Sequence, residues 1–283
     1  MKLTDLRGIL QYIPQFREKT FIIAVDGIIV PDENFANILL DIAVLRSLNI
    51  RVVLVHGASV QIKALAEKHG IHASNLDGTG VTDAATLQLA MDAANRLTHE
   101  ILEGLSANDL RAAYTNAIIA HPFGIIQGVD HLFTGKVERV DVELLQTLMN
   151  QSIIPVVPPL GFDGDGKTYR VNSDGIALAI AESLKATKLI FITAHEGLRC
   201  NGGVIRQMLV ADLQELLRTG KVTVDNLAER LKVSSFFSTY FLLIWFKASN
   251  DQPDADVVLR TDAKALDWVS FLLKEKAARL TQA

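Results

Sequence analysis

Apolar residues along this chain alternate between two spacings. "FIIAVDGIIV" (residues 21 to 30) is an unbroken apolar run interrupted only at Asp26 and Gly27, as in a buried strand. It is followed by "NFANILLDIAVLRSLNI", where Phe35, Ile38, Leu39, Ile42, Leu45 and Leu48 recur at helical spacing. "RVVLVHG" is a second short β-branched run, closed by Gly57, and "SVQIKALAEKHG" a second helix, closed by Gly70. Strand, helix, strand at these lengths predicts a βαβ unit with parallel strands and a right-handed crossover. "TDAATLQLAMDAANRLTHEILEGL" adds a longer helix opened by Thr82 or Asp83.

The middle of the chain has shorter runs. "NAIIAHP" and "GIIQGVDHLFTGKVERV" predict β-hairpins over the sheet edge. "VDVELLQTLMNQS" returns to helix, "IIPVVPPLG" to a buried strand ended by prolines, and "GFDGDGKTYRV" to a hairpin turning on Gly164, Asp165 and Gly166. "SDGIALAIAESLKA" predicts a helix begun by Ser173 or Asp174, and "KLIFITAHEG" another buried strand. The alternation predicts an α/β fold, a three-layer αβα sandwich around a mainly parallel sheet. Before it, Leu3, Leu6, Leu10 and Ile13 predict an amphipathic helix over residues 1–15. The main domain then covers 16–221, and a divergent part, 222–283, completes it. In that last part "TVDNLAERLKVSSFFSTYFLLIWF" reads as helix and strand, "DADVVLRTD" as strand and "AKALDWVSFLLKEKAARL" as helix.

Composition narrows the function. With 49% apolar and 21% charged residues, the 283-residue chain has the makings of a folded core. A formal net charge of -4 argues against a nucleic-acid or anionic-membrane partner. The single cysteine, Cys200, leaves no thiolate cluster for a metal, and a reducing cytoplasm fits best. The N-terminus lacks the apolar core of a signal peptide, and residues 233 to 246 are shorter than the roughly 20 that span a bilayer.

Candidate chemistry begins at Gly27. A tight glycine turn at a strand end offers backbone N–H groups to an anion, yet Asp26 would repel one and no Lys stands on that strand. "KTFIIAVDG", "NFANILLDIAVLRSLNIRVVLVHGASVQI", "VTDAATL", "TGKVERVDVELLQ", "IPVVPPLGFDGDGKTYRVNSDGIALAIAESL" and "HEGL" occur in the order seen in one family. Over residues 16 to 218 the chain resembles the amino-acid kinase family, most closely the kinase-like domains of bacterial N-acetylglutamate synthases.

The resemblance implies a set of site residues. N-acetylglutamate kinases move a phosphoryl group from ATP to the acylamino acid's carboxylate, a task of positioning and charge stabilisation. Where those kinases place a Lys ahead of a Gly-Gly turn, this chain has Ala24, Val25, Asp26 and Gly27. Their His-Gly-Gly-Gly phosphate loop is matched by His56, Gly57, Ala58 and Ser59. Gly80 stands where relatives carry an Arg for the ligand carboxylate, and Arg170 where the kinase carries a substrate-binding Asn. Asn172 lies beside it, Asp174 matches the Asp that organises the catalytic lysines, and Thr193 and Gly197 fall on the nucleotide side.

The expected function is an N-acetylglutamate synthase- or kinase-like protein of arginine biosynthesis, catalytically impaired. It would bind an amino acid or acylamino acid as a sensor or partner subunit and need no cofactor. The residues after Gly220 contain no glycine, so the pyrophosphate loop of an acetyltransferase is not expected among them, and a separate acetyltransferase becomes a candidate partner. Relatives of this fold are usually homo-oligomers. The alternative is a divergent ATP- and magnesium-dependent phosphotransferase in which Arg170 or Lys136 supplies the charge. A third reading is an assembly protein using only the fold's surfaces. Each residue also has a plainer role: Asp174 as a helix-start acid, His56 as a satisfied loop histidine, Arg170 as a solvated hairpin residue, and Lys167 and Asp165 as a solvated turn tip.

Overall fold

The computed structural model describes Pro14, residues 16–71 and 78–194, together with the backbone of several later strands. Its elements run β1 (Thr20–Val25), α1 (Phe35–Ser47), β2 (Arg51–His56), α2 (Ser59–His69), α3 (Ala84–Ser106), β3 (Ala112–Tyr114) and β4 (Ile118–Pro122). They continue with β5 (Ile125–Ile126), β6 (Val129–Asp130), β7 (Thr134–Val140), α4 (Val142–Asn150), β8 (Ile154–Val157), β9 (Leu160–Phe162), β10 (Thr168–Val171), α5 (Ser173–Ser183) and β11 (Lys188–Thr193). Six backbone strands follow: β12 (Arg199–Cys200), β13 (Gly203–Val204), β14 (Gln207–Leu209), β15 (Val222–Thr223), β16 (Leu242–Lys247) and β17 (Ala255–Arg260).

The main sheet has eight strands in the order β14-β17-β16-β11-β1-β2-β8-β3, and every neighbouring pair is parallel except β16 with β17. Side chains alternate across it with the period of two that a pleated strand imposes. Phe21, Ile23 and Val25 of β1 enter one core with Phe35, Leu39 and Ile42 of α1, Ile62 of α2 and Leu97 and Ile101 of α3. Ile22 and Ala24 enter the other, with Leu145 of α4 and Ile176, Ala177 and Ile180 of α5. Helices therefore cover both faces, making the αβα sandwich; each large apolar side chain so buried contributes about 1.5–3 kcal/mol. On the second face, β4, β7, β10 and β9 close into a small four-stranded barrel.

Local details depart from the expectations. The 21–30 run is not one strand: β1 ends at Val25, and Gly27–Ile29 form a 3₁₀ turn. The turn falls at Asp26-Gly27, as the sequence placed it: the Asp26 N–H makes the last bond to β11, at the Ile192 carbonyl, and the Asp26 carbonyl accepts from Ile29 N to close the turn. "IIPVVPPLG" divides into β8 and β9, since Pro158 and Pro159 interrupt the ladder and only the Pro159 carbonyl still accepts, from Val171 N. The cap of α5 is Asn172, whose Oδ1 accepts from Gly175 N at 3.0 Å, rather than Ser173 or Asp174. For α3 the cap is Asp83, which accepts from Thr86 N at 2.7 Å. The expected helices over 1–15, before β16 and over "AKALDWVSFLLKEKAARL" lie outside the described residues.

Candidate functional site

Parallel α/β sheets bind ligands beyond the carboxyl ends of their strands, where successive connections leave in opposite directions. That point is the end of β1. From it the chain crosses through α1 to β2 on one side, while α5, on the other face, feeds β11 on the opposite side. Three bends meet there: Asp26-Gly27 after β1, Gly57-Ala58 after β2, and Asn172-Ser173 entering α5.

They meet closely enough to exclude side chains. A Cβ on Gly27 would lie 2.5 Å from Gln61 Oε1 and 2.8 Å from the Gly57 carbonyl oxygen. A Cβ on Gly57 would lie 3.3 Å from Ser173 Oγ and 3.6 Å from Gly27 N. Gln61, in the first turn of α2, donates from Nε2 to the Gly27 carbonyl at 2.7 Å. Ala58 caps α2 without a side-chain acceptor, so Ser59 begins the helix beside the glycine bends. Asp174, 8% exposed, lies in the first turn of α5.

A second strand of chain crosses this junction. Gly78 has φ +80°, and a Cβ there would meet Asn172 N at 3.3 Å, so the segment from Gly78 onward lies directly on the start of α5. The Gly80 carbonyl accepts from Thr134 Oγ1, and Thr82 O accepts from Phe133 N at 3.0 Å. Thr134 is the register partner of Arg170 on β10, so Gly80 and Arg170 flank the same strand pair. Arg170 is only 2% exposed, which overturns its reading as a solvated hairpin residue. Thr193, 1% exposed, ends β11 at the same sheet edge, and Gly197 lies outside the described residues.

His56 is placed differently. Its ring is fully buried against α3, with Nε2 2.8 Å from Thr98 Oγ1 and Nδ1 3.2 Å from the Gly57 carbonyl oxygen. Burial pushes its pKa down to about 4, so the imidazole is neutral at physiological pH. Both ring nitrogens are engaged inside the fold, and what the residue brings to the bend is backbone.

Two contributors were not among the sequence candidates. Gln61 gives no local signal beyond being a polar residue in a helix's first turn. Gly78 sits in "LDGTG", where any of the glycines could have taken the left-handed conformation. Among the described residues, no group of three His, Cys, Asp or Glu side chains is placed to hold a metal ion, and no helix is long and apolar enough to cross a membrane.

The amino acid kinase family profile matches residues 19–229. The chain belongs to that family. An amino-acid acetyltransferase from Vibrio cholerae is 33% identical to it over 218 residues, 74% of this chain and 49% of the relative. One from Pseudomonas fluorescens is 36% identical over 225 residues, 75% of this chain and 52% of the relative. The chain thus spans about half the length of the curated relatives it matches. Among solved structures, N-acetylglutamate synthase from Neisseria gonorrhoeae, complexed with coenzyme A and N-acetyl-glutamate, aligns with a TM-score of 0.81 at 24% identity. That alignment covers 93% of this chain and 64% of the synthase. Carbamate kinase from Giardia lamblia bound to AMP-PNP aligns with a TM-score of 0.58 at 12% identity, over 80% of this chain and 91% of the kinase. These structural likenesses establish the fold; the sequence identities place the chain with the kinase-like part of the acetyltransferases.

Proposed function

We propose that this amino-acid kinase domain binds an amino acid or acylamino acid of arginine biosynthesis and does not transfer phosphoryl groups, acting as the sensing or partner module of an N-acetylglutamate synthase-type acetyltransferase. One observation carries the reading: the segments that meet at the candidate site, 24–29, 56–61 and 172–175, contain no Lys or Arg, while Asp26 and Asp174 contribute carboxylates. Phosphoryl transfer needs cations around the moving group, and losing one such donor costs about 3–4 kcal/mol of transition-state stabilisation. The glycine bends at the strand ends remain, and buried Arg170, three residues before the start of α5, is the cation this reading assigns to the ligand carboxylate. On this reading the ligand is small and carboxylated, the protein self-associates, and no cofactor takes part.

The test is a thermal-shift titration with arginine, N-acetylglutamate, glutamate, acetyl-CoA and ATP with magnesium, run beside an ATP turnover assay. A ligand held only by the folded state raises Tm by mass action. Saturable shifts with arginine or N-acetylglutamate, without turnover, are the expected result. ATP-dependent phosphorylation of a carboxylate substrate would replace this reading with that of a divergent phosphotransferase.

A further inference from the structure

Away from the strand ends, the hairpin that the sequence marks as a solvated turn does something else with its lysine. Lys167 turns its ammonium over two aromatic rings, with Nζ 4.9 Å from the centroid of Phe133 and 5.3 Å from that of Tyr169. The rings are held apart from any motion of the lysine. Phe133 directly precedes β7, and Tyr169 lies on β10, the strand paired with β7, with its ring in the core. The Tyr169 hydroxyl donates to Asp163 Oδ2 at 3.1 Å. The other carboxylate oxygen of Asp163 accepts from Asp165 N at 3.0 Å and Lys167 N at 2.8 Å, which fixes its orientation. Those donors also hold Asp163 below the usual carboxylate range, so it stays anionic.

Two ring faces, one of them held by a hydrogen bond to a fixed carboxylate, are the parts from which proteins build receptors for organic ammonium ions. We propose that the rings of Phe133 and Tyr169, the latter oriented by Asp163, form an ammonium-binding box that Lys167 occupies from within the chain, and that a free alkylammonium ion takes the lysine's place when it is removed. The box lies on the β7–β10 pair beside Arg170, whose N–H bonds the Phe133 carbonyl, but it does not depend on the function proposed for the strand-end site. Because the internal lysine is tethered beside the rings, it reduces the apparent affinity of any external ion in proportion to the time it sits there.

The test is chemical rescue. Lys167→Ala empties the box at an exposed position, and n-butylammonium chloride, which has the chemistry of the missing side chain, is titrated against sodium chloride at equal ionic strength. The expected result is a saturable rise in Tm for Lys167→Ala, with an apparent affinity about tenfold above that of the wild-type chain. Lys167→Ala combined with Phe133→Leu should abolish it. A Lys167→Ala variant that gives no saturable response would overturn the proposal, as would equal responses from it and the wild type, or a response that survives Phe133→Leu. Circular dichroism on each variant confirms that the comparison is made between folded proteins.

Discussion

Gln61 holds Gly27. Its Nε2 donates to the Gly27 carbonyl at 2.7 Å and ties the first bend to α2, while a Cβ at Gly27 would lie 2.5 Å from its Oε1 and 2.8 Å from the Gly57 carbonyl oxygen, backbone that cannot swing aside. Gly27→Ala should therefore destabilise the fold by about 1–3 kcal/mol, the usual cost of forcing extra atoms into a packed site. Adding Gln61→Ala relieves only part of the clash, because the Gly57 carbonyl oxygen, 2.8 Å from the same Cβ, is backbone and stays. Urea unfolding of the single and double variants measures both; a Gly27→Ala midpoint equal to the wild type would contradict the geometry.

His56 makes stability depend on pH in a known direction. Its folded pKa, about 4, lies below the ordinary value of 6.5, so the unfolded chain binds the proton more tightly. The histidine's contribution is complete above about pH 6.5 and is lost as the pH falls toward 4, by about 1.4 kcal/mol per unit. Melting curves between pH 7 and 5 should show a falling Tm, and His56→Gln should flatten that fall whatever it does to the absolute Tm. Identical slopes would mean that other groups carry the dependence.

Asn172 has two roles that substitution can separate. As the cap of α5 it accepts from Gly175 N, and Asn172→Ala should cost about 1 kcal/mol. Asn172→Asp keeps an acceptor for the cap while adding a negative charge at the candidate site. The aspartate variant should melt near the wild type yet lose affinity for a carboxylate ligand. Ligand shifts that track stability in both variants would leave Asn172 a cap alone.

The layers of the fold were legible because burial on both faces writes itself into the sequence. Phe21, Ile23 and Val25 against Ile22 and Ala24 read as a short strand with a core on each side, and the alternation with helices gives the layers, while the strand order comes from the sheet itself. The ends of elements were less legible. In "FIIAVDGIIV" the Asp26-Gly27 pair marks where the strand turns, but the 3₁₀ form of Gly27–Ile29 is not legible, since Ile28 and Ile29 are as apolar as Ile22. The glycines of the site were readable as glycines. Their reason, the approach of Gln61 and the Gly57 carbonyl to Gly27 and of Ser173 to Gly57, is tertiary and leaves no local pattern. Arg170 and His56 show the same limit in opposite senses. A charged residue on a hairpin strand is buried on a strand of the closed barrel, and a histidine at a strand end is turned inward to Thr98 of α3.

Arg170 is the residue on which the proposed ligand reading depends most. It is 2% exposed on β10, beside Thr134, whose hydroxyl reaches the Gly80 carbonyl. A guanidinium held there offers a carboxylate charge-assisted hydrogen bonds worth about 1.5–3 kcal/mol, or about 10- to 100-fold in affinity. Arg170→Met should remove that factor for arginine or N-acetylglutamate, and Arg170→Lys should restore only part of it, because an ammonium lacks the planar fork. Both variants will also lose stability, since a buried cation has been removed or reshaped. Affinities are therefore measured by calorimetry at a temperature where circular dichroism shows each variant folded. If Arg170→Met binds as tightly as the wild type, the guanidinium serves the fold and the ligand carboxylate is held elsewhere; if the wild type itself binds nothing, the ligand reading fails before Arg170 is reached.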